Sequence, residues 1–413
     1  MRTLLYVAIL VIPAQLLASE PDSLEQLRQD IEDLTRRLVA LENENETLRR
    51  NFRHRDQTPE QDDQPGEPNT QSSSTKTNFS GDFRLRHERI DLRGAEVHER
   101  ARIRARATVT RQINENAEVG LGVSTGGNAP TSSTQTLGAG GSKKSVALDL
   151  AYIDWQPKEN LHVFAGKFKN HLFKVPSQTM LWDDEWRPEG AGLSFDTHAY
   201  FVSLLGTWIE SDSLSPDREF AFGAQTGIRR PILGEAVLTA GIGYFNFSVA
   251  NASTFYGSDI DFSGNTFSCA NPIDTSTCKF GNDYEEVEMF AAIAFDRDKY
   301  SGEVYAHYVQ NREAGRLNDG WTIGSQFLFN SGNHPVQLHY FYRYLEADAV
   351  FAPLTDSDFG GGGTDVTGHS IKVGWSMNPR LVLSLVYFDN DIGSNQGMSA
   401  RYKRAQVNAD FNF

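Results

Sequence analysis

The chain has 413 residues, 54 acidic against 39 basic side chains, a formal charge of −15, 39% hydrophobic residues and a mean hydropathy of −0.46. That acidity argues against a nucleic-acid partner, and no apolar run beyond the N-terminus approaches the roughly 20 residues a spanning helix needs. The chain is therefore either soluble or crosses a membrane as strands.

In chain order, Arg2 precedes an apolar run over 4–17, and Ala18-Ser19 offers a small-residue cleavage site, so residues 1–18 read as a signal peptide. No Cys lies near that site, which excludes a lipid anchor. Within 20–50, Leu24, Leu27, Ile31, Leu34, Leu38, Leu41, Asn45 and Leu48 recur at alternating steps of three and four, the seam of an α-helical coiled coil. Asn45 falls on an a position, where a buried polar residue fixes register at some cost in stability. Dimer and trimer both fit this seam, as does a single amphipathic helix packed on the rest of the chain. Residues 51–77 turn to Gln, Asp, Ser and Thr with Pro59, Pro65 and Pro68, the composition of a flexible linker.

From 78 to 413 the apolar period is two. Sixteen strands are predicted, at 78–89, 97–111, 117–125, 145–156, 160–168, 189–196, 199–209, 219–230, 235–247, 284–296, 300–311, 319–330, 335–346, 366–377, 380–389 and 401–413, with fourteen or eighteen as neighbouring counts. Short connections, such as 157–159, 196–198 and 378–379, interleave with mostly longer ones at 126–144, 169–188, 248–283, 347–365 and 390–400. This sorting is what a membrane barrel requires, with turns on one rim and loops on the other; a soluble sandwich has no reason for it. The expected fold is an all-β transmembrane, 16-stranded antiparallel barrel over 78–413, with a polar lumen. The last strand alternates Ala405, Val407, Ala409, Phe411 and Phe413 with Gln406, Asn408, Asp410 and Asn412, and is expected to pair with 78–89 so that no edge remains.

Outward sets follow from the same alternation: Ala101, Ile103, Ala105, Ala107 and Val109; Val287, Met289, Ala291, Ile293 and Phe295; Trp321, Ile323, Phe327 and Phe329. Tyr340, Tyr342 and Tyr344 place rings toward one end of a strand, as at a bilayer interface. The opposite face of the second strand carries Arg100, Arg102, Arg104 and Arg106, and the first strand adds Arg84 and Arg86 beside Asp82 and Glu88. A mid-membrane Arg facing lipid costs about 2–4 kcal/mol, so these six are assigned to the lumen wall. They either lower the barrier for anions or form a neutralised, stiffening cluster. The connection 169–188 carries Lys169, Lys174, Asp183, Asp184, Glu185 and Arg187; it either folds inward, setting the three carboxylates against the arginines, or lies over the outer mouth. Cys269 and Cys278, close in sequence in an exported chain, are expected to form a disulfide. Two further zinc ligands at sensible spacing are missing, and neither metal nor cofactor is expected.

The run Leu181-Trp-Asp-Asp-Glu-Trp-Arg-Pro-Glu-Gly190, the preceding Gly166-Lys-Phe-Lys-Asn170, the alternating-Arg strand and terminal Phe413 resemble the bacterial "putative porin" family with an N-terminal coiled coil. The Arg-rich wall is also similar to that of phosphate-selective porins, whose basic residues include lysines on a constriction loop; here that loop offers Lys169 and Lys174 beside three carboxylates. The resemblance implies a homotrimeric outer-membrane channel for passive diffusion of small hydrophilic solutes or ions, embedded in outer-membrane lipid. The coiled coil would then lie in the periplasm, where peptidoglycan is a candidate partner. The other classes considered are an outer-membrane anchor tied to the cell wall, and a barrel enzyme; for the latter, His162, His171, His307, His339 and His369 are scattered without a recognisable Ser or Asp partner motif.

Overall fold

The computed structural model describes residues 76–176, 179–211, 218–232, 234–330 and 332–413. The signal peptide expected at 1–18, the helix at 20–50 and all but the end of the linker lie outside the described residues.

The first half of the barrel consists of β1 (Thr77–Leu92), β2 (His98–Asn114), β3 (Ala117–Thr125), β4 (Val146–Lys158), β5 (Leu161–Lys167), β6 (Glu189–Asp196), β7 (Tyr200–Ser211) and β8 (Arg218–Pro231). The second half consists of β9 (Val237–Phe247), β10 (Tyr284–Arg297), β11 (Tyr300–Asn311), β12 (Asp319–Phe329), β13 (Val336–Leu345), β14 (Val366–Asn378), β15 (Leu381–Ile392) and β16 (Ala400–Asn412). Each strand pairs antiparallel with its sequence neighbours, and β16 closes on β1 with Leu85 opposite Ala409 and Arg86 opposite Asn408. All sixteen predicted strands are present within a few residues. The larger differences lie at loop-side ends: β1 runs on to Leu92 because Arg89 and Ile90 still pair with Glu99 and His98 after the apolar alternation has faded.

Closure leaves no unpaired strand edge, which is the condition for a sheet to survive in hydrocarbon. The outer surface matches that environment: Leu85, Leu121, Leu204, Ile242, Ile323, Ile371, Leu385 and Val407 are each more than two-fifths exposed. So broad an apolar band is foreign to the surface of a soluble monomer. Trp155 and Trp375 lie toward the short-turn rim, whereas Trp208, Trp321 and Tyr344 lie toward the loops, giving an aromatic residue set at each end. On β10 the inward set Glu286, Glu288, Phe290 and Ala292 is buried, and Met289 and Ile293 face out as predicted.

The interior departs from the uniformly polar lumen expected. The inward faces of β7 to β13 carry Phe201, Leu205, Phe245, Phe247, Phe290, Tyr305, Val309, Phe341 and Leu345. Loop 3 (168–188), loop 5 (248–283) and loop 7 (346–365) fold in and supply Phe168, Met180, Trp182, Trp186, Phe262, Phe280, Phe351 and Phe359 to the same cluster. Sixteen strands enclose more space than side chains alone can fill; here the loops fill one side of it. Inward glycines admit this plug: a Cβ on Gly192 would lie 2.3 Å from the His171 ring, and one on Gly223 2.1 Å from Phe245.

The seam has a similar constraint. Gly81 and Phe413 exchange backbone hydrogen bonds of 2.9 and 3.0 Å, and a Cβ on Gly81 would fall 2.5 Å from both the Phe413 ring and the Arg106 carbonyl. Gly81→Val is therefore expected to block closure, read as loss of the heat-modifiable folded band on an unheated gel. Gly127→Ala, where a Cβ meets nothing within 4 Å, is expected to fold normally.

Candidate functional site

The β1–β2 pairing sets Arg84 opposite Arg104, Arg86 opposite Arg102, Glu88 opposite Arg100 and Asp82 opposite Arg106. All six predicted arginines thus share one inner wall. Closure adds Arg404 of β16, 2% exposed, which sequence reasoning missed. Every guanidinium of this wall has a carboxylate partner. Asp82 accepts from Arg104 and Arg106, each at 2.7 Å; Glu88 accepts from Arg100, Arg102 and Arg404; Asp410 accepts from Arg84 at 2.5 Å. Two further partners come from loops: Glu185 of loop 3 reaches Arg104 at 2.5 Å, and Asp358 of loop 7 bridges Arg86 at 3.0 Å and Arg404 at 2.9 Å. Seven guanidiniums meet five carboxylates, so the wall is largely neutralised and retains a small positive excess.

Loop 3 folds into the barrel. Trp182 packs edge-on against Phe245 of β9 with centroids 4.8 Å apart and stacks on Trp186 at 4.9 Å. The Phe173 amide and carbonyl bond the Gln225 side chain of β8 at 2.7 and 2.9 Å. Its three carboxylates do not act together, as the sequence reading had them. Only Glu185 meets the arginine wall. Asp183 turns to loop 7, where its own N–H donates to the Leu354 carbonyl at 2.7 Å and its carboxylate accepts from the Ser357 N–H at 3.1 Å. Asp184 is mostly exposed and pairs with Lys174. Arg187 reaches Asp149 of β4 at 3.4 Å, and Lys169 lies exposed at the start of the loop.

The loop carboxylates differ in ionisation. Burial, reinforced by the neighbouring Asp356 carboxylate, pushes Asp183 well above the usual range. Burial acts in the same direction on Glu185, but Arg104, the Ser133 amide and Arg106 outweigh it and lower its pKa. At Asp358 burial is likewise overcome by Arg404 and Arg86, which hold the carboxyl far below its ordinary value. Its contribution to stability is complete above the ordinary Asp range and is lost only as pH falls through that depressed value.

A cavity of about 420 Å³ lies at the short-turn ends of β9 to β13, and two larger ones border the arginine wall and the loops. One of about 690 Å³ runs beside the arginine wall down to Ser80 and Asn412 near the short-turn rim. The other, of about 550 Å³, lies among loops 2 (126–145), 3, 5 and 7 on the opposite side. Ser132, Asp149, Glu185 and Arg187 line both. Loop 2 is held there by its Ser133 amide on Glu185 and by Arg102 donating to the Thr134 carbonyl at 3.2 Å.

Cys269 and Cys278 form the disulfide, across a small hairpin within loop 5. Two of the scattered histidines do have carboxylate neighbours, His162 with Asp154 at 3.0 Å and His307 with Glu288 at 2.7 Å. His307 and Glu288 are buried, and Gln225 also donates to Glu288, at 2.7 Å. Of the residues missed, Arg404 and Asp410 were legible: they lie in step with Gln406 and Asn408 on a strand already assigned to pair with β1. Asp358 sits among Ser, Asp and Gly in a loop without periodicity, and nothing in the sequence marks it.

Asp358→Asn would leave Arg86 and Arg404, both nearly buried, short of a charge partner. A loss of about 3–5 kcal/mol is expected, whereas Asp184→Asn, at an exposed pair, should change stability by at most about 1 kcal/mol. Urea unfolding of the two refolded variants, followed by gel mobility and tryptophan fluorescence, checks the contrast.

The family model described as "Putative porin" matches residues 92–284 and 284–411. Among solved structures the chain is similar to OprB of Pseudomonas putida, with 12% identity and a TM-score of 0.54, covering 82% of this chain and 94% of that one. It is also similar to the trimer form of in-vitro folded OmpT, an outer membrane protein of Vibrio cholerae, with 11% identity and a TM-score of 0.50, covering 82% and 99%. At such identities the likeness speaks to the fold. No curated protein matches the sequence.

Proposed function

The chain belongs to the "putative porin" family, and from that premise we propose that it is an outer-membrane channel for passive diffusion of small hydrophilic solutes or ions. The observation that carries this reading is a closed barrel holding two cavities that share Ser132, Asp149, Glu185 and Arg187 in their linings. A solute would enter among the loops and pass the constriction at Ser132, Asp149, Glu185 and Arg187. It would then descend along the arginine wall and leave at the short-turn rim.

In this reading loop 3 is the constriction loop, with Glu185 and Arg187 at the narrow point and Lys169, Lys174, Asp183 and Asp184 below it. The facing charges order water across the gap and favour polar over apolar solutes. Because the arginines of the wall are paired, only their small positive excess acts on a passing ion, and selectivity should be modest rather than absolute. A homotrimer is proposed from the barrel type, OmpT having been described in a trimer form. The heptads within 20–50 would sit in the periplasm after removal of 1–18, joined by the linker 51–77, and peptidoglycan is their proposed partner. A second reading, in which the barrel chiefly anchors that segment to the cell wall, rests on the heptad seam; it is compatible with an open pore.

Purified oligomer is expected to form open, water-filled channels in planar bilayers. Absence of conductance from well-folded, heat-modifiable protein would overturn the channel and favour the anchor. The double variant Arg102→Gln/Arg104→Gln is expected to shift the reversal potential in a salt gradient toward cation preference. Arg89→Gln, an exposed residue paired with Glu99 beyond the lumen, should leave it unchanged.

A further inference from the structure

The larger cavity is lined by eight cationic and eight anionic side chains, a formal balance that conceals an asymmetry. The arginines hold carboxylates, Lys174 holds Asp184, Arg187 holds Asp149, and Asp356 accepts from the Thr179 hydroxyl at 2.6 Å. Two cations stand apart. Lys169 at the start of loop 3 and Lys372 on β14 have neither an ion pair nor a hydrogen bond among the described residues.

Lys372 is the better placed of the two. It lies opposite Val386 of β15, which in turn lies opposite Gln406 of β16, so the lysine and the glutamine flank one position of the same inner wall. Gln406 is 1% exposed and lines the cavity, and its Nε2 has no acceptor at normal hydrogen-bond distance, the Asp358 carboxylate engaging it only weakly from farther off. An amide donor buried without a partner is costly, and the deficit disappears when an acceptor arrives. Arg84 and Arg86 add positive potential at Lys372, while Asp410 and Asp184 act on it from beyond ion-pair distance. An ammonium without an ion pair and an amide N–H with no acceptor at normal hydrogen-bond distance suit an oxygen-bearing anion better than a cation.

Resting on the channel reading above, we propose that Lys372 and Gln406 form a transit site for small oxyanions, carboxylate- or phosphate-bearing, with Lys169 supplying a second charge across the same cavity. A group that accepts from both donors would dwell there, whereas chloride, which is not shaped to bridge them, would pass.

The test is chloride current through the reconstituted full-length channel as inorganic phosphate or acetate is added. Wild-type current should fall saturably with at least one of the two, and the more effective probe identifies the headgroup. Lys372→Gln should raise the half-blocking concentration about tenfold or more, the loss of one charge-assisted hydrogen bond. Lys372→Arg should largely restore block, and Lys169→Gln should weaken it less. Conductance in chloride alone, with normal heat-modifiable mobility, shows that each variant has folded. A conducting channel that shows no saturable block by either anion, or equal block in wild type and Lys372→Gln, overturns the site and leaves the channel standing. A folded oligomer that does not conduct overturns both.

Discussion

An arginine at every second position of β2 obliges four guanidiniums to leave the same side of one sheet, and only one side of that sheet can hold them. With Arg84 and Arg86 there are six such groups on two paired strands. At about 2–4 kcal/mol for each Arg at the lipid midplane, slipping this hairpin by one residue would cost on the order of 10–20 kcal/mol. That exceeds or equals the whole net stability of a typical folded domain, about 5–15 kcal/mol. The arginine periodicity therefore sets the register of β1 and β2, and through the closing pairs Arg84 with Asp410 and Arg86 with Asn408 it sets where β16 can sit.

Having brought these charges together, the chain must separate or neutralise them. Repulsion among seven guanidiniums is relieved by Asp82, Glu88 and Asp410 from the wall itself and by Glu185 and Asp358 from loops. The loop carboxylates tie loops 3 and 7 to the polar half of the barrel, while Trp182, Trp186, Phe351 and Phe359 bury the other sides of the same loops against β9 to β13. Each loop thus has one ionic and one apolar attachment. The larger cavity that remains lies against the arginines, and residues of loop 2, loop 3 and β4 line both it and its neighbour.

Period-two alternation, loop sorting and the terminal strand made the architecture legible in the sequence, because each depends on local spacing and on the lipid boundary. Loop 3 was legible as a candidate inward element from its length and charges, with a position over the outer mouth equally open to its tryptophans, but the division of labour within it was not. Asp183, Asp184 and Glu185 are adjacent in sequence, yet one faces loop 7, one faces solvent and one faces the wall, since an irregular backbone turns consecutive side chains in different directions. The apolar plug was hidden for another reason. Phe245, Phe290 and Phe341 follow the same alternation as a polar lumen face would, and only the loops that cover them explain their presence. Asp358 and Lys372 acquire meaning only from neighbours far away in the chain, Arg404 and Arg86 for the first and Gln406 for the second.

Water and solute are expected to follow the polar half of this lumen and not the apolar half or the outer face. Both native cysteines are in the disulfide, so single introduced thiols can report on it. The measurement is channel current before and after a charged, membrane-impermeant thiol reagent acts on Ser384→Cys beside the arginine wall, Phe245→Cys in the plug or Leu385→Cys on the outer face. A stepwise fall in current is expected for Ser384→Cys and none for the other two. Equal inertness of Ser384→Cys, or a response at Phe245→Cys in its place, would contradict it.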